Sequence, residues 1–519
     1  MKNKWWKIGA PGILLIGIIA GVLFLSNSNR YQTEGEAHLK GLSASARVIR
    51  DEKGMPYIYA ENLLDLIKVQ GYVTAQVRLF QMNLTRLFAE GRLSEFAGDG
   101  TKTLDVRMRT IGIHRNARKH TKILNRENRE MMQAFADGVN QFIESNKDNL
   151  QMEFKLAGIK PGPWRIEDSI AIIYYMGWGS AANIQTEMIS QMLIEKIGYE
   201  RFLEIFPINT NPDDTIVATK HQPELLPDFI VCSTPAFQKD KFLMGFLSGS
   251  KPILGIGSNA WMSGSTLSAG GKPIVASDPQ LDARLLPGLF YPSGLISPDI
   301  RLVGATIPGI PGAMVGRSLY VANGVTNGYG DGQDLFIETI DPGNPDHYLE
   351  NGISIPFQII SETLKINDKN AESGFREEVV KIRLTRRGPV ISSVLEPLKT
   401  KKIVTLRWAP FETMEPSLGI DFLLKSKSVA DVKESLRTVT AAHFNVTFAD
   451  VEGNLGWQTT GRLPIRNYGN GTVPVDANRH PDTWTGWIPY AETPHQYGSA
   501  NDWIGNANHN TVKKDYPYY

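Results

Sequence analysis

The residue of this sequence best placed to do chemistry is a serine that follows two alternating glycines. The stretch reads GIGSNAWMSGS over residues 255–265, with Ser258 directly after Gly257. A serine hydroxyl is a weak nucleophile and needs a base beside it. If the Gly257–Ser258 peptide bond breaks, the new α-amino group lies on the same residue as the hydroxyl. Its pKa of about 7.7–8.0 lets it accept the hydroxyl proton near neutral pH.

Other arrangements for nucleophilic or metal-assisted catalysis are missing from the sequence. No serine lies in a Gly-x-Ser-x-Gly motif, and the nine histidines form no His-x-x-x-His pair. The single cysteine, Cys232, excludes an intrachain disulfide framework and a cysteine-based zinc site. Gly257 has no Cβ and leaves its carbonyl open to attack by the Ser258 hydroxyl. An ordinary linker before a strand is the alternative interpretation of this glycine and serine.

The elements that must position Ser258 change character along the chain. Alternation over residues 46–60 predicts a hairpin, and residues 63–96 and 128–146 carry apolar residues at helical spacing. Residues 206–257 are rich in Pro, Gly and polar residues, which is typical of a connector. Strand patterns with short Gly and Asn turns dominate from Ser258 onward. We therefore predict a mostly helical region over 31–230, a spacer over 231–257 and a β-rich region over 258–519.

The amino terminus has the pattern of an export segment. Lys2, Lys4 and Lys7 precede an uncharged apolar run from Ile8 to Leu25. We expect residues 1–30 to be a membrane anchor or a signal segment, with the rest of the chain outside the cytoplasmic membrane, anchored or secreted. The pattern does not separate these two. A buried core helix is the alternative that the flanking lysines argue against.

Composition is that of a folded protein without a polyanionic partner. The chain has 519 residues, is 42% hydrophobic and 21% charged, and carries a formal net charge of +1. This balance argues against nucleic-acid binding.

Four stretches resemble one known family. SNAWMSGSTLSAGGKPIVASDPQLD (258–282) is similar to the start of the β-chain of penicillin acylases, which are N-terminal-nucleophile hydrolases. Residues 71–98 resemble the α-chain signature of that family, although Val77 stands where the family usually has Asp. Residues 307–338 and 445–466 resemble further β-chain blocks in the same order. The resemblance implies an α+β fold, the four-layer αββα sandwich of these hydrolases.

The resemblance also implies roles for individual residues. Ser258 would be the nucleophile, and the backbone carbonyl of Gln280 would hold its amine. The backbone N–H of Asn327 and the side-chain amide of Asn445 would face the oxyanion, and Arg466 would orient Asn445 and the region of the amine. Taken singly, Asn327 could be only a turn residue, Asn445 a capped strand start and Arg466 a surface charge.

A structural calcium ion is a further implication of the resemblance. The turn DGQD at 331–334 offers two carboxylates, and hard cations such as calcium prefer oxygen ligands. By the resemblance, the ligands include Asp331, the Gln333 carbonyl, Asp334 and Glu187 from the helical region. A plain hairpin turn is the alternative interpretation. No organic cofactor is expected.

The expected function is that of an exported amide hydrolase. It would cleave itself at Gly257–Ser258 into an α/β heterodimer and hydrolyse small acyl amides. By the resemblance, Leu281 and Val325 lie near the acyl group, which suggests aliphatic or varied acyl groups without separating penicillin-type amides from N-acyl homoserine lactones. The chain ends where the family continues, so we expect a fold that is incomplete at the carboxyl terminus. The alternative is therefore an unprocessed, inactive, membrane-anchored member of the family that at most binds acyl ligands.

Overall fold

The computed structural model describes most of the chain. The described residues are 34–205 without 182, then 257–281, 286–395 and 398–512, with short pieces at 17–19, 21–22, 32, 232–233 and 516–518. The helices of these parts, leaving out single 3₁₀ turns, are α1 Leu63–Glu90, α2 Ser94–Ala97, α3 Lys102–Ile111, α4 Ile113–Ile123, α5 Arg126–Ser145, α6 Met152–Ala157, α7 Ile166–Ala181, α8 Ile184–Ile197, α9 Tyr199–Ile205, α10 Phe422–Lys425 and α11 Val429–Leu436.

The strands lie mainly after Ser258. They are β1 Arg47–Arg50, β2 Pro56–Tyr59, β3 Cys232–Ser233, β4 Ser258–Ser263, β5 Ile274–Pro279, β6 Tyr291–Ile296, β7 Arg301–Thr306, β8 Val315–Arg317, β9 Val321–Asn327, β10 Gln333–Asp341, β11 Asn344–Glu350, β12 Ile353–Pro356, β13 Gln358–Asn367, β14 Phe375–Leu384, β15 Leu398–Lys399, β16 Ile403–Trp408, β17 Phe444–Asp450, β18 Leu455–Thr459, β19 Pro464–Arg466, β20 Val475–Asp476, β21 Trp484–Trp487, β22 His495–Gly498 and β23 Trp503–Asn506.

The long helix α1 is fixed at both ends by its own sequence. The Asn62 side chain caps it by accepting a hydrogen bond from the backbone N–H of Asp65 at 2.9 Å. Gly91 ends it in the left-handed conformation, with φ 64°. The helical pattern predicted for 63–96 is therefore broken at Gly91, and a separate short helix follows from Ser94 to Ala97.

Helices α1 and α5 pack closely because glycines lie where they cross. A Cβ at Gly71 would lie 2.2 Å from the Phe135 carbonyl oxygen, and one at Gly138 would lie 1.9 Å from that of Lys68. Any larger residue at either position would push the two helices apart.

The described residues form three packed layers near Ser258. A nine-stranded sheet has the order β1-β2-β6-β7-β8-β9-β17-β18-β22. Helices cover one face of it, with a core that includes Leu66 and Val73 of α1 and Phe448 of β17. A three-stranded sheet, β23-β4-β5, lies on the other face, where Met262 and Trp457 share a core cluster. This mixture of helical and sheet layers confirms the predicted α+β class.

A further sheet carries the acidic turn. Strand β10 pairs with β11 and β16 antiparallel, and with β20 parallel. Helix α8 meets this sheet where the Glu187 carboxylate accepts a hydrogen bond from the backbone N–H of Leu335 at 3.0 Å. The helical region thus contacts the strand that begins within the DGQD turn.

Most of the predicted export segment, residues 1–30, lies outside the described residues, as does the spacer 231–257 apart from 232–233 and 257. Within the part of the chain that is described, no helix has the length and apolar character needed to cross a membrane. The boundaries at 30, 230 and 257 stay predictions.

Candidate active site

Ser258 is the first residue of β4, and two of the predicted site residues bind it or the preceding Gly257. Strand β5 pairs with β4 in a register that sets Ser258 opposite Pro279. The carbonyl oxygen of Gly257 accepts a hydrogen bond from the backbone N–H of Gln280 at 3.1 Å. The hydroxyl oxygen of Ser258 accepts a long one from the backbone N–H of Asn327 at 3.4 Å. Two backbone donors therefore flank the Gly257–Ser258 bond.

Gln280 contacts Gly257 through its backbone N–H, whereas the role predicted for it uses its carbonyl. That role stays a prediction. The Gln280 side chain also lies close to this bond, because a Cβ at Gly257 would lie only 3.2 Å from its Oε1 atom.

Asn445 is buried on β17, with four hydrogen bonds to its side chain and 3% of the residue exposed. Its Nδ2 donates to the Asn327 carbonyl at 3.2 Å and to Asn506 Oδ1 at 3.1 Å. Its Oδ1 accepts from Trp457 Nε1 at 3.2 Å and from the Thr459 hydroxyl at 3.1 Å. The amide is thus held rigidly beside the end of β9. Its predicted oxyanion role stays a prediction.

Helix α7 fixes the segment that leads into β17. A Cβ at Gly177 would lie 1.8 Å from the carbonyl oxygen of Ala441. The helix backbone therefore packs directly on the residues just before Asn445. Gly177 of the helical region therefore helps to position the side chain of Asn445 in the β-rich region.

Two asparagines of the site were missed by the sequence predictions. Asn506 accepts the hydrogen bond from Asn445 Nδ2 and another from the Thr326 hydroxyl at 3.0 Å. Asn508 accepts from the backbone N–H of Ser258 at 2.6 Å and donates to the Asn327 carbonyl at 2.7 Å. The only sequence signal was the spacing Asn-x-Asn-x-Asn in NANHN, residues 506–510.

Arg466 lies in the acidic cluster of the DGQD turn. Its guanidinium binds Asp334 with three hydrogen bonds, at 2.7, 2.9 and 3.2 Å, and donates to the Asp331 carbonyl at 3.0 Å. Although burial opposes it, the charges of Asp331 and Asp334 raise the pKa of Arg466. The predicted role of Arg466, orienting Asn445, stays a prediction.

Burial dominates the protonation of the carboxylates around Arg466. It raises the pKa of Asp331 to about 7, with Arg466 opposing the shift and Asp334 adding to it. Burial and the charges of Asp334 and Asp331 raise the pKa of Glu187 well above its ordinary value. One guanidinium therefore faces more carboxylates than it can neutralise.

The predicted calcium ligands partly converge. Asn183 Nδ2 donates to a carboxylate oxygen of Asp331 and, at 2.9 Å, to the Gln333 carbonyl oxygen. Oε1 of Glu187 is buried without a hydrogen-bond partner among the described residues. Within those residues, however, no three His, Cys, Asp or Glu side chains form a metal-binding group. The donor types fit a hard cation, while a guanidinium and an amide lie against the same oxygens.

An apolar cavity of about 80 Å³ lies on the helical side of the nine-stranded sheet. Val325 of β9 and Phe444 of β17 line it, and Phe444 pairs with Asn327 in the sheet register. Most other lining residues are aliphatic or methionine, among them Ile310, Met314, Leu418 and Val446, while His120, Phe422 and four threonines complete the lining. Leu281, expected near the acyl group, is 45% exposed.

The chain combines an α+β fold with a serine at a strand start, surrounded by backbone and side-chain amides. The family model described as Penicillin amidase matches residues 45–519. Because this match covers most of the chain, the protein belongs to the penicillin amidase family. The predicted family resemblance is confirmed.

Three curated relatives show how far the similarity extends. Acyl-homoserine lactone acylase QuiP of Pseudomonas aeruginosa is 30% identical over 497 residues, which cover 93% of this chain and 57% of that protein. Penicillin acylase 2 proenzyme of a Pseudomonas species is 30% identical over 493 residues, covering 93% and 61%. Penicillin G acylase of Escherichia coli is 26% identical over 527 residues, covering 92% and 60%. The chain spans less than two thirds of the length of each relative.

Proposed function

We propose that this protein is an amide hydrolase that cleaves itself at Gly257–Ser258 and then uses Ser258 as an N-terminal nucleophile. The observation that carries this proposal is the pair of backbone donors around one bond. Gln280 N–H binds the Gly257 carbonyl, and Asn327 N–H points at the Ser258 hydroxyl. Family membership supports the same conclusion.

Self-cleavage begins when the Ser258 hydroxyl oxygen adds to the carbonyl carbon of Gly257 and loses its proton to water. The Gln280 N–H stabilises the negative charge that develops on the Gly257 oxygen. The carbon–nitrogen bond then breaks, and the Ser258 nitrogen takes up a proton to become an amine. Water hydrolyses the resulting ester, which frees the Gly257 carboxylate and the Ser258 hydroxyl.

Substrate hydrolysis repeats this chemistry on an external amide. The Ser258 amine accepts the hydroxyl proton as the oxygen attacks the substrate carbonyl carbon. The Asn327 N–H stabilises the oxyanion, and Asn445 Nδ2 is the predicted second donor, whose hydrogen bonds to Asn327 and Asn506 would have to rearrange. The leaving amine takes the proton, and water releases the acid from the serine ester.

The two halves have contacts that would keep them together after cleavage. The buried side chain of Gln70 exchanges two hydrogen bonds with the backbone of Gly312, at 2.7 and 2.9 Å. Glu187 of α8 binds the backbone N–H of Leu335. These contacts support an α/β heterodimer as the processed form.

The cavity favours acyl amides with an aliphatic acyl group. Its lining is mostly apolar, and it reaches β9 two residues before Asn327. Two relatives are named for acyl-homoserine lactones and for penicillin, so both amide classes are candidates.

The experiment that tests this function is a rate comparison over N-acyl homoserine lactones of increasing chain length and phenylacetyl amides. We expect higher kcat/KM for the longer aliphatic amides and no turnover by Ser258→Ala. Turnover that persists in Ser258→Ala would contradict the assignment of the nucleophile. Equal rates for all acyl groups would contradict the role of the cavity.

We also propose that a calcium ion is held by Glu187, Asp331, Asp334 and the Gln333 carbonyl. The excess of carboxylates over the single Arg466 guanidinium supports it, with Glu187 and Asp334 buried and Asp331 partly exposed. For calcium to bind, Asn183 must release the Gln333 carbonyl oxygen and Arg466 must release a carboxylate oxygen of Asp334. The ion would neutralise these carboxylates and tie α8 to β10.

Thermal unfolding tests the calcium proposal without an activity assay. A chelator should lower the unfolding midpoint, and calcium should restore it where magnesium at equal concentration does not. Asp331→Asn should abolish the response to calcium. A midpoint that is the same with chelator and with calcium would refute the site.

A further inference from the structure

Asn508 links the nitrogen of Ser258 to the strand that carries the oxyanion donor. Its Oδ1 lies 2.6 Å from the Ser258 nitrogen, and its Nδ2 lies 2.7 Å from the carbonyl oxygen of Asn327. Both are shorter than the 3.4 Å between the Asn327 nitrogen and the Ser258 hydroxyl oxygen. One side chain therefore holds the prospective amine and the end of β9 together.

The orientation of the Asn508 amide follows from its two partners. A backbone N–H can only donate and a carbonyl oxygen can only accept, so the amide oxygen must face Ser258 and the amide nitrogen Asn327. A flipped amide would set donor against donor and acceptor against acceptor.

The backbone of Asn508 is held as firmly as its side chain. Its N–H donates to Asn506 Oδ1 at 3.0 Å, and its φ of 61° lies in the left-handed region that asparagine tolerates better than most residues. Asn506 is itself buried and bound to Asn445 and Thr326. A fixed loop thus presents Asn508 to Ser258.

We infer that Asn508 is a positioning residue that fixes the Ser258 nitrogen relative to Asn327 through both stages of the reaction. This inference rests on the proposed function. Before cleavage, Oδ1 accepts from the peptide N–H and keeps the Gly257–Ser258 bond in place. After cleavage, it accepts from an N–H of the amine, so that the nitrogen lone pair remains available to the hydroxyl.

An Asn508→Asp variant separates positioning from simple support of the fold. It keeps the shape and the acceptor oxygen but places a carboxylate beside the amine, which favours the protonated amine. The acid limb of the kcat/KM profile should therefore move by about one to three units toward higher pH. The titratable side chains His509, which contacts the same loop, and Asp278, which binds Gln280, stay unchanged.

The experiment compares wild type, Asn508→Ala, Asn508→Asp, Asn510→Ala and Asn510→Asp. Asn510 is exposed, lies two residues away and provides the same changes as a control. Cleavage is followed by intact mass, the fold by the thermal midpoint, and hydrolysis by the pH profile. We expect slower self-cleavage in both Asn508 variants at an unchanged midpoint, a fall of roughly 100-fold in kcat for Asn508→Ala, and the shifted limb for Asn508→Asp.

The inference fails if the Asn508 variants match the Asn510 variants in cleavage rate and pH profile while wild type cleaves and turns over. It also fails if every loss follows a lowered thermal midpoint, since Asn508 would then only support the fold. If wild type and the Asn510 variants neither cleave nor hydrolyse amides, the proposed function itself fails. The control variants distinguish that result from a failure of Asn508 alone.

Discussion

Replacing Arg466 by methionine should destabilise the protein far more than removing an exposed arginine. The Arg466 and Asp334 side chains are each 3% exposed and are joined by hydrogen bonds at 2.7 and 2.9 Å. Removing one partner of a buried pair leaves an uncompensated charge, which typically costs about 3–5 kcal/mol. Asp334 keeps the indole N–H of Trp484 at 2.5 Å, so we expect the lower end, about 3 kcal/mol.

The assay is urea denaturation in chelator, on a Ser258→Ala background so that no variant separates into two chains. Arg437→Met is the matched control, because Arg437 is 43% exposed and pairs with Glu434, 68% exposed. Arg437→Met should lower the free energy of unfolding by less than about 1 kcal/mol. Adding Asp334→Asn to Arg466→Met removes the stranded charge, so the double variant should be less destabilised than the sum of the singles by about 2 kcal/mol.

If Arg466→Met lowers the free energy of unfolding no more than Arg437→Met does, the buried ion pair between Arg466 and Asp334 is refuted. Strict additivity with Asp334→Asn would refute the coupling between the two side chains.

Two further predictions follow from buried groups. Burial, only partly offset by the Thr460 backbone, lowers the pKa of His443 to about 4. The unfolded chain binds this proton near pH 6.5, so stability should fall by about 3 kcal/mol as the pH drops from 6.5 to 4. In urea denaturation, His443→Met should remove that fall in stability, whereas His509→Met, at an exposed position, should not. If stability depends on pH with the same slope in both variants, the lowered pKa of His443 is contradicted. Gly177→Ala should lower the free energy of unfolding by about 1–3 kcal/mol, and should lower kcat, because the new methyl group displaces α7 from Ala441. Gly179→Ala is the control, since its Cβ would meet nothing within 4 Å, and it should have neither effect. Equal thermal midpoints for the two variants would contradict this packing.

Local patterns were sufficient to predict several elements. The hairpin expected over 46–60 is formed by β1 and β2, and the helix expected over 128–146 is α5. Apolar spacing could not show that the helical pattern over 63–96 breaks, because the break depends on the left-handed conformation of Gly91.

The meeting of Ser258 with Asn327 came from the family resemblance, since the two are 69 positions apart and share no local pattern. Asn508 lies 250 positions from Ser258. Only the folded β4 and β23, side by side in one sheet, bring its loop to the nucleophile. Likewise, opposite charge alone could not pair Arg466 with Asp334, because the chain offers many other carboxylates.

The central claim is that the Gly257–Ser258 bond is cut by Ser258 itself, and intact-mass spectrometry of the full chain tests it most directly. We predict two species from wild type, divided between Gly257 and Ser258, and one uncut species from Ser258→Ala. A single uncut species from wild type would contradict the account and favour an unprocessed protein that only binds acyl ligands. Two species from Ser258→Ala would show that Ser258 is not the nucleophile.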